Sequence, residues 1–146
     1  MKPRRHVIMF QPRFAALVES GVKCQTVRPR RKRRIEVGDI VDLRTWTGLP
    51  YRSKQRQLRE ATVTRVCAAN IKLRRDTFYP ELSCETLMVG GLLFNNEAAE
   101  AGFARADGFK NRDEFFDFFA TNYAKASEFG RHLSLNFHGQ LICWQP

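Results

Sequence analysis

The sequence predicts an α+β protein, a small β-barrel with short helices covering its openings. Apolar, β-branched runs recur at residues 7–10, 40–46, 61–71 and 133–144, loosely spaced and broken by glycine and proline. Between them lie three short stretches with apolar residues at helical spacing, and no repeat or linker interrupts the chain. With 146 residues, 43% of them apolar and 12 of them phenylalanine, the chain can bury one ordinary core, so a single domain over 1–146 is expected.

Val7-Ile8-Met9-Phe10 has the composition of a buried strand. Pro12 suits the first turn of a helix, where its missing N–H is no loss, and Phe14, Leu17 and Val18 then share one face. Gly21 is placed to end that helix in the left-handed conformation. Residues 23–28 should be extended, because Thr26 and Val27 are β-branched and Pro29 disfavours helix before it. Residues 29–34 are too charged to bury and read as a loop, and Val37-Gly38-Asp39 turns into a strand over 40–46. In that strand Val41, Leu43 and Thr45 face one side, with Ile40, Asp42 and Arg44 on the other.

Gly48-Leu49-Pro50 opens a basic loop that ends near Gln57, and 61–71 form a longer strand. Residues 77–94, with Leu87-Met88-Val89 and Leu92-Leu93-Phe94 around Gly90-Gly91, read as a hairpin inserted into a smaller scaffold. A short helix is expected over 97–105. A second begins at Asn111, with Glu114 as its capping-box partner and Phe115, Phe116, Phe119 and Tyr123 as its buried stripe. At helical spacing those aromatics read as core, not as a base-stacking surface. Residues 133–137 and 141–144, separated by His138-Gly139-Gln140, complete the chain as a hairpin.

Composition excludes several classes. The apolar content is too high for a disordered chain, and the longest apolar runs are far short of a membrane span. The four apolar residues 7–10 are too few for a signal-peptide core, so a cytoplasmic protein with no membrane partner is expected. Cys24, Cys67, Cys84 and Cys143 stand singly, without a CxxC pair, and His6, His132 and His138 are isolated, so no metal site is expected. Charge is more telling. Residues 1–76 carry 20 basic and 6 acidic side chains, a net of +14, whereas residues 77–146 carry 5 and 9, a net of −4. Such asymmetry concentrates polyanions at one part of the surface, and nucleic acid is the natural partner.

One segment could also carry chemistry. Lys23 lies beside a run of arginines; a lysine made partly neutral by neighbouring positive charge or burial can accept a proton from a hydroxyl such as that of Thr26. In a regular strand positions 23 and 26 face opposite sides, so the two meet only if the chain turns or bulges after Gly21.

The pattern Phe10-Gln11-Pro12, Phe14, Leu17-Val18, Ser20-Gly21-Val22-Lys23-Cys24-Gln25-Thr26-Val27-Arg28 and Val37-Gly38-Asp39-Ile40-Val41 resembles the ASCH domain. Asp107-Gly108-Phe109 and Leu141-Ile142-Cys143-Trp144 are also similar, and only residues 77–94 fall outside the resemblance. The resemblance implies a PUA-like β-barrel associated with RNA, with a cleft lined by the lysine segment. Some small bacterial members remove the acetyl group of N4-acetylcytidine with a lysine, a threonine and a glutamate, and another is a metal-dependent ribonuclease. Carried over, these roles fall on Lys23 as base, Thr26 as nucleophile and Asp107 as acid or orienting group, with Arg28 as substrate ligand. Asp107 departs from the family's glutamate by one methylene, and Cys24 stands where threonine is common.

Two functions are therefore expected from different classes. The first is recognition of single-stranded RNA or a modified nucleoside: Arg30, Arg31, Lys32, Arg33 and Arg34, helped by Arg52, Lys54 and Arg56, bind phosphates. Trp46 and Tyr51 could stack an unpaired base for ~1–3 kcal/mol each. The second is hydrolysis at Lys23, Thr26 and Asp107, without a cofactor unless a ribonuclease reaction brings a divalent metal. In a eukaryote, residues 29–34 could instead be a nuclear targeting signal.

Overall fold

The computed structural model describes residues 2–75, 82–126 and 133–146. In chain order its elements are β1 (Arg5–Phe10), α1 (Pro12–Glu19), β2 (Gln25–Pro29), β3 (Ile40–Trp46), β4 (Gln55–Arg75) and β5 (Ser83–Val89). They continue with β6 (Leu92–Leu93), α2 (Glu97–Ala106), α3 (Arg112–Tyr123), β7 (Lys125–Ala126) and β8 (Leu133–Trp144). The α+β composition is as expected. Strand pairing runs β1-β3-β4-β5-β6, and β8 pairs with β2, β4 and β7.

Barrel closure is where expectation and structure part. Among the described residues no pairing joins the ends of this path, so the sheet is open. At β1 a side chain takes the place of a further strand: Arg31 Nη2 donates to the Val7 carbonyl at 2.6 Å, satisfying an edge acceptor.

The chain divides into two compact units. The first comprises Met1–Thr26, Arg31–Val66 and Ile142–Pro146. Here β1 runs parallel to β3, from Arg5 opposite Ile40 to Phe10 opposite Thr45. On its other side β3 is antiparallel to the start of β4, with a register shift between Leu43 and Arg44. Val41, Leu43 and Thr45 are buried as the alternation predicts, and Phe14, Ala15 and Val18 of α1 are buried with them. Pro12 opens the helix, and Gly21 closes it at φ +81° with its N–H on Val18 O at 3.2 Å.

The second unit comprises Val27–Arg30 and Cys67–Leu141. The end of β4 pairs antiparallel with β5, and β5 with β6 across Gly90-Gly91, both at positive φ (59° and 81°), as a two-residue hairpin turn requires. This is the hairpin expected within 77–94; residues 77–81 lie outside the described part. Asn96 caps α2 through Ala99 N at 2.8 Å, and Asn111 caps α3 through Glu114 N at 2.9 Å. The Glu114 carboxylate accepts from Lys110 N at 3.1 Å, one residue earlier than a capping box has it. Phe103, Phe109, Phe115, Phe116 and Phe119 are buried, with Phe115 and Phe119 centroids 4.9 Å apart and Phe119 and Phe137 5.1 Å apart, so the phenylalanine stripe is core.

The expected C-terminal hairpin is one continuous strand, β8. The glycine that suggested a turn serves a close approach instead. A Cβ at Gly139 would lie 2.4 Å from the Arg28 carbonyl and 2.5 Å from the Phe137 ring. Likewise β4 begins at Gln55, not at 61, because its polar first residues pair with Trp46, Thr45 and Arg44 of β3.

Candidate nucleic-acid interface and a buried lysine

The chain leaving α1 is folded back onto the helix: Lys23 N donates to Leu17 O at 2.9 Å, and Cys24 Sγ contacts Gly21 O at 2.9 Å. Strand β2 starts only at Gln25, so period-two alternation does not govern Lys23. Lys23 and Thr26 are both buried, at 2% and 4% exposure. Burying an ammonium demands compensation. Lys23 Nζ donates to Gln25 O at 2.7 Å and sits 5.2 Å from the Phe14 ring centre and 5.7 Å from that of Phe10, contacts that suit a positive charge. Neither phenylalanine was singled out as a site residue in the sequence, where both read as core. Trp144 packs edge-on against Phe10 as well, its ring 6.0 Å away. Its buried indole Nε1 has no hydrogen-bond partner among the described residues.

Asp107 is 3% exposed and belongs to the second unit, as do Arg28 and Arg30. It is the C-cap of α2, followed by Gly108 at φ +95°. Phe109 N bonds back to Ala104 O at 2.9 Å and Gly108 N to Arg105 O at 3.0 Å, the paired bonds of a Schellman motif. The Asp-Gly-Phe sequence thus has a helix-ending role whatever else Asp107 does.

The predicted phosphate ligands are at the surface. Arg30, Lys32, Arg33 and Arg34 are exposed in the coil between β2 and β3, and Arg31, also exposed, anchors that coil to β1. Burial of part of its side chain pulls the Arg31 guanidinium below its ordinary pKa. In the loop joining β3 to β4, Arg52 and Lys54 are exposed, Trp46 is half-buried, and Tyr51 packs on Trp46 with ring centres 5.2 Å apart. Arg56 pairs with Glu19 at 3.1 Å.

Buried charge networks escaped the sequence reading. His6 Nε2 meets Asp39 Oδ2 at 2.9 Å, and Asp39 also accepts the backbone N–H groups of Arg4 and Glu36, each at 3.0 Å. Burial alone would raise the Asp39 pKa; those donors, with His6, outweigh it and hold the carboxyl at about 2. Fully buried Asp42 is kept below the usual carboxylate range first by Arg44, at 2.5 Å, against the opposing effect of burial; Gln57, at 2.9 Å, and Arg5, at 3.5 Å, add to the effect. In the second unit buried Glu100 accepts from Arg112 Nε at 2.7 Å, and burial, assisted by Glu100, pushes the Cys84 thiol up to about 12. Only the Gly38-Asp39 turn advertised any of this, since a strand's period cannot show which acids find partners across the sheet.

None of the four cysteines forms a disulfide. Among the described residues no group of three or more His, Cys, Asp or Glu side chains could hold a metal, and no helix is long and apolar enough to cross a membrane. Comparison with known proteins finds no matching family model, no matching curated protein and no matching solved structure.

Proposed function

We propose that the chain is an ASCH-type, PUA-like domain that binds RNA through its first unit. One observation carries the reading: that unit holds 15 basic and 5 acidic side chains, a net of +10, while the second holds 10 of each. A net positive charge confined to one compact unit, with Lys32, Arg33, Arg34, Arg52 and Lys54 exposed on it, supports polyanion binding more than it supports general solubility. Binding of a labelled single-stranded RNA, followed by fluorescence anisotropy as potassium chloride is raised, tests this. The affinity should fall steeply, by ~0.7 in log–log slope for every phosphate neutralised. An affinity indifferent to salt overturns the reading.

The buried polar groups favour a second reading, hydrolysis of an acylated nucleoside. Lys23 and Thr26 are both withdrawn from solvent, and the unpartnered Trp144 N–H lies beside the Phe10 ring that also meets Lys23. Such a donor would donate to a carbonyl oxygen. Because the contacts of Lys23 suit its ammonium form, a base role would require proton loss on substrate binding, and an anchoring role requires none. Incubation with N4-acetylcytidine tests this: deacetylation by the parent and none by Lys23→Met sustains the reading, and no deacetylation by the parent ends it.

A further inference from the structure

The loop between β3 and β4 contains a conformational anomaly. Arg52 N donates to Leu49 O at 3.2 Å, Pro50 occupies the second turn position, and Tyr51, the third, has φ +61°. Proline at the second position excludes the primed turns, leaving type II, whose third position ordinarily takes glycine or asparagine. A tyrosine there is strained, and among the described residues it is the only non-glycine at positive φ. Nor does the ring repay the strain by burial, for Tyr51 is 90% exposed.

The loop holding it is cross-braced by hydrogen bonds. Thr47 N and Oγ1 both bond Lys54 O, at 2.9 and 2.8 Å, while Ser53 Oγ accepts from Gly48 N at 3.0 Å and donates to Leu49 O at 2.8 Å. The Trp46 ring backs that of Tyr51 at an interplanar angle of 50°. That tilt leaves no parallel slot between the two rings, so a flat ligand would lie on the outer face of Tyr51. Arg52 and Lys54, both exposed, flank it with positive charge.

We propose that Tyr51 is a preformed stacking platform for one unpaired nucleobase, and that it makes the first unit select single-stranded over duplex RNA. The inference rests on the RNA reading above. A base inside a duplex has both faces covered by its neighbours, whereas an unpaired one can stack on an aromatic ring, next to side chains that hold the adjoining phosphates. Pre-ordering the ring by the turn lowers the entropy lost on binding, which gives the strain a use.

The test compares the parent, Tyr51→Gly and Tyr51→Phe in binding a short mixed-sequence single strand and a blunt duplex, alongside their melting temperatures. Tyr51→Gly should bind the single strand about tenfold or more weakly and the duplex within about twofold of the parent. Its melting temperature should be equal or higher, because glycine relieves the turn. Tyr51→Phe should bind like the parent. Equal loss for both nucleic acids, or no loss for either, overturns the platform while leaving the RNA reading intact; a parent that binds neither overturns both.

Discussion

The two units of this chain differ in what they bury and what they expose. The first buries a lysine, two threonines, the His6–Asp39 pair and Asp42, each charged group held by carbonyls, backbone N–H groups or guanidinium groups, and its surface carries the entire net charge. The second buries a cluster of phenylalanine rings in edge-on and tilted contact beside aliphatic side chains such as Ile71, Leu73 and Leu87, with Glu100 and Asp107 as its polar interior, and is neutral overall. A phenylalanine core needs little besides shape to be stable. Buried charge stabilises less for the same volume, and the first unit, with Lys23, His6, Asp39 and Asp42, buries more of it than the second, with Glu100 and Asp107.

The largest way to sharpen that comparison is Phe119→Ala, which should cost about 3–5 kcal/mol in urea denaturation. Hydrogen exchange should then show lost protection in α3 while the amides of β1 and β3 keep theirs; equal loss in both units would break the distinction. Next is Gly139→Ala, expected to destabilise by about 1–3 kcal/mol because its Cβ meets the Arg28 carbonyl and the Phe137 ring. Gly102→Ala in α2, where a Cβ meets nothing within 4 Å, should instead stabilise by about 0.5–1 kcal/mol. The pH dependence probes the first unit. Asp39 is held at about 2 in the fold against an ordinary 3.8, so its contribution is present above about pH 4 and lost as pH falls towards 2. Asp39→Asn should flatten the acid limb of stability in that window, and an unchanged limb would show the carboxylate's partners to be immaterial. Among the smaller effects is that of Arg31→Ala, about 1 kcal/mol from one edge hydrogen bond, read from the urea midpoint.

Local rules reached most of the elements. Proline at the start of α1, Gly21 after it, Asn111 before α3 and the paired glycines of the β5–β6 hairpin each act within a few residues, and the sequence shows such signals directly. Gly139 misled because its reason is a neighbouring strand's carbonyl, which no local pattern reveals. The barrel failed for the same kind of reason: whether β1 meets another strand or the side chain of Arg31 is a long-range matter. At the candidate site, Lys23 and Thr26 were legible as residue types, but their burial and the aromatic bed of Phe10 and Phe14 were not. Tyr51 was legible as an exposed aromatic; its left-handed backbone, which gives it most of its interest, was not.

The most direct measurement sets two triple variants against the parent in single-stranded RNA binding across a salt series. Lys32→Ser with Arg33→Ser and Arg34→Ser removes three charges from the first unit; Arg75→Ser with Arg105→Ser and Lys110→Ser removes three from the second. The first set should weaken binding by about tenfold or more and reduce the log–log salt slope by about 2, and the second should leave both as in the parent. Equal effects from the two sets, or a larger one from the second, would contradict the assignment of RNA binding to the first unit.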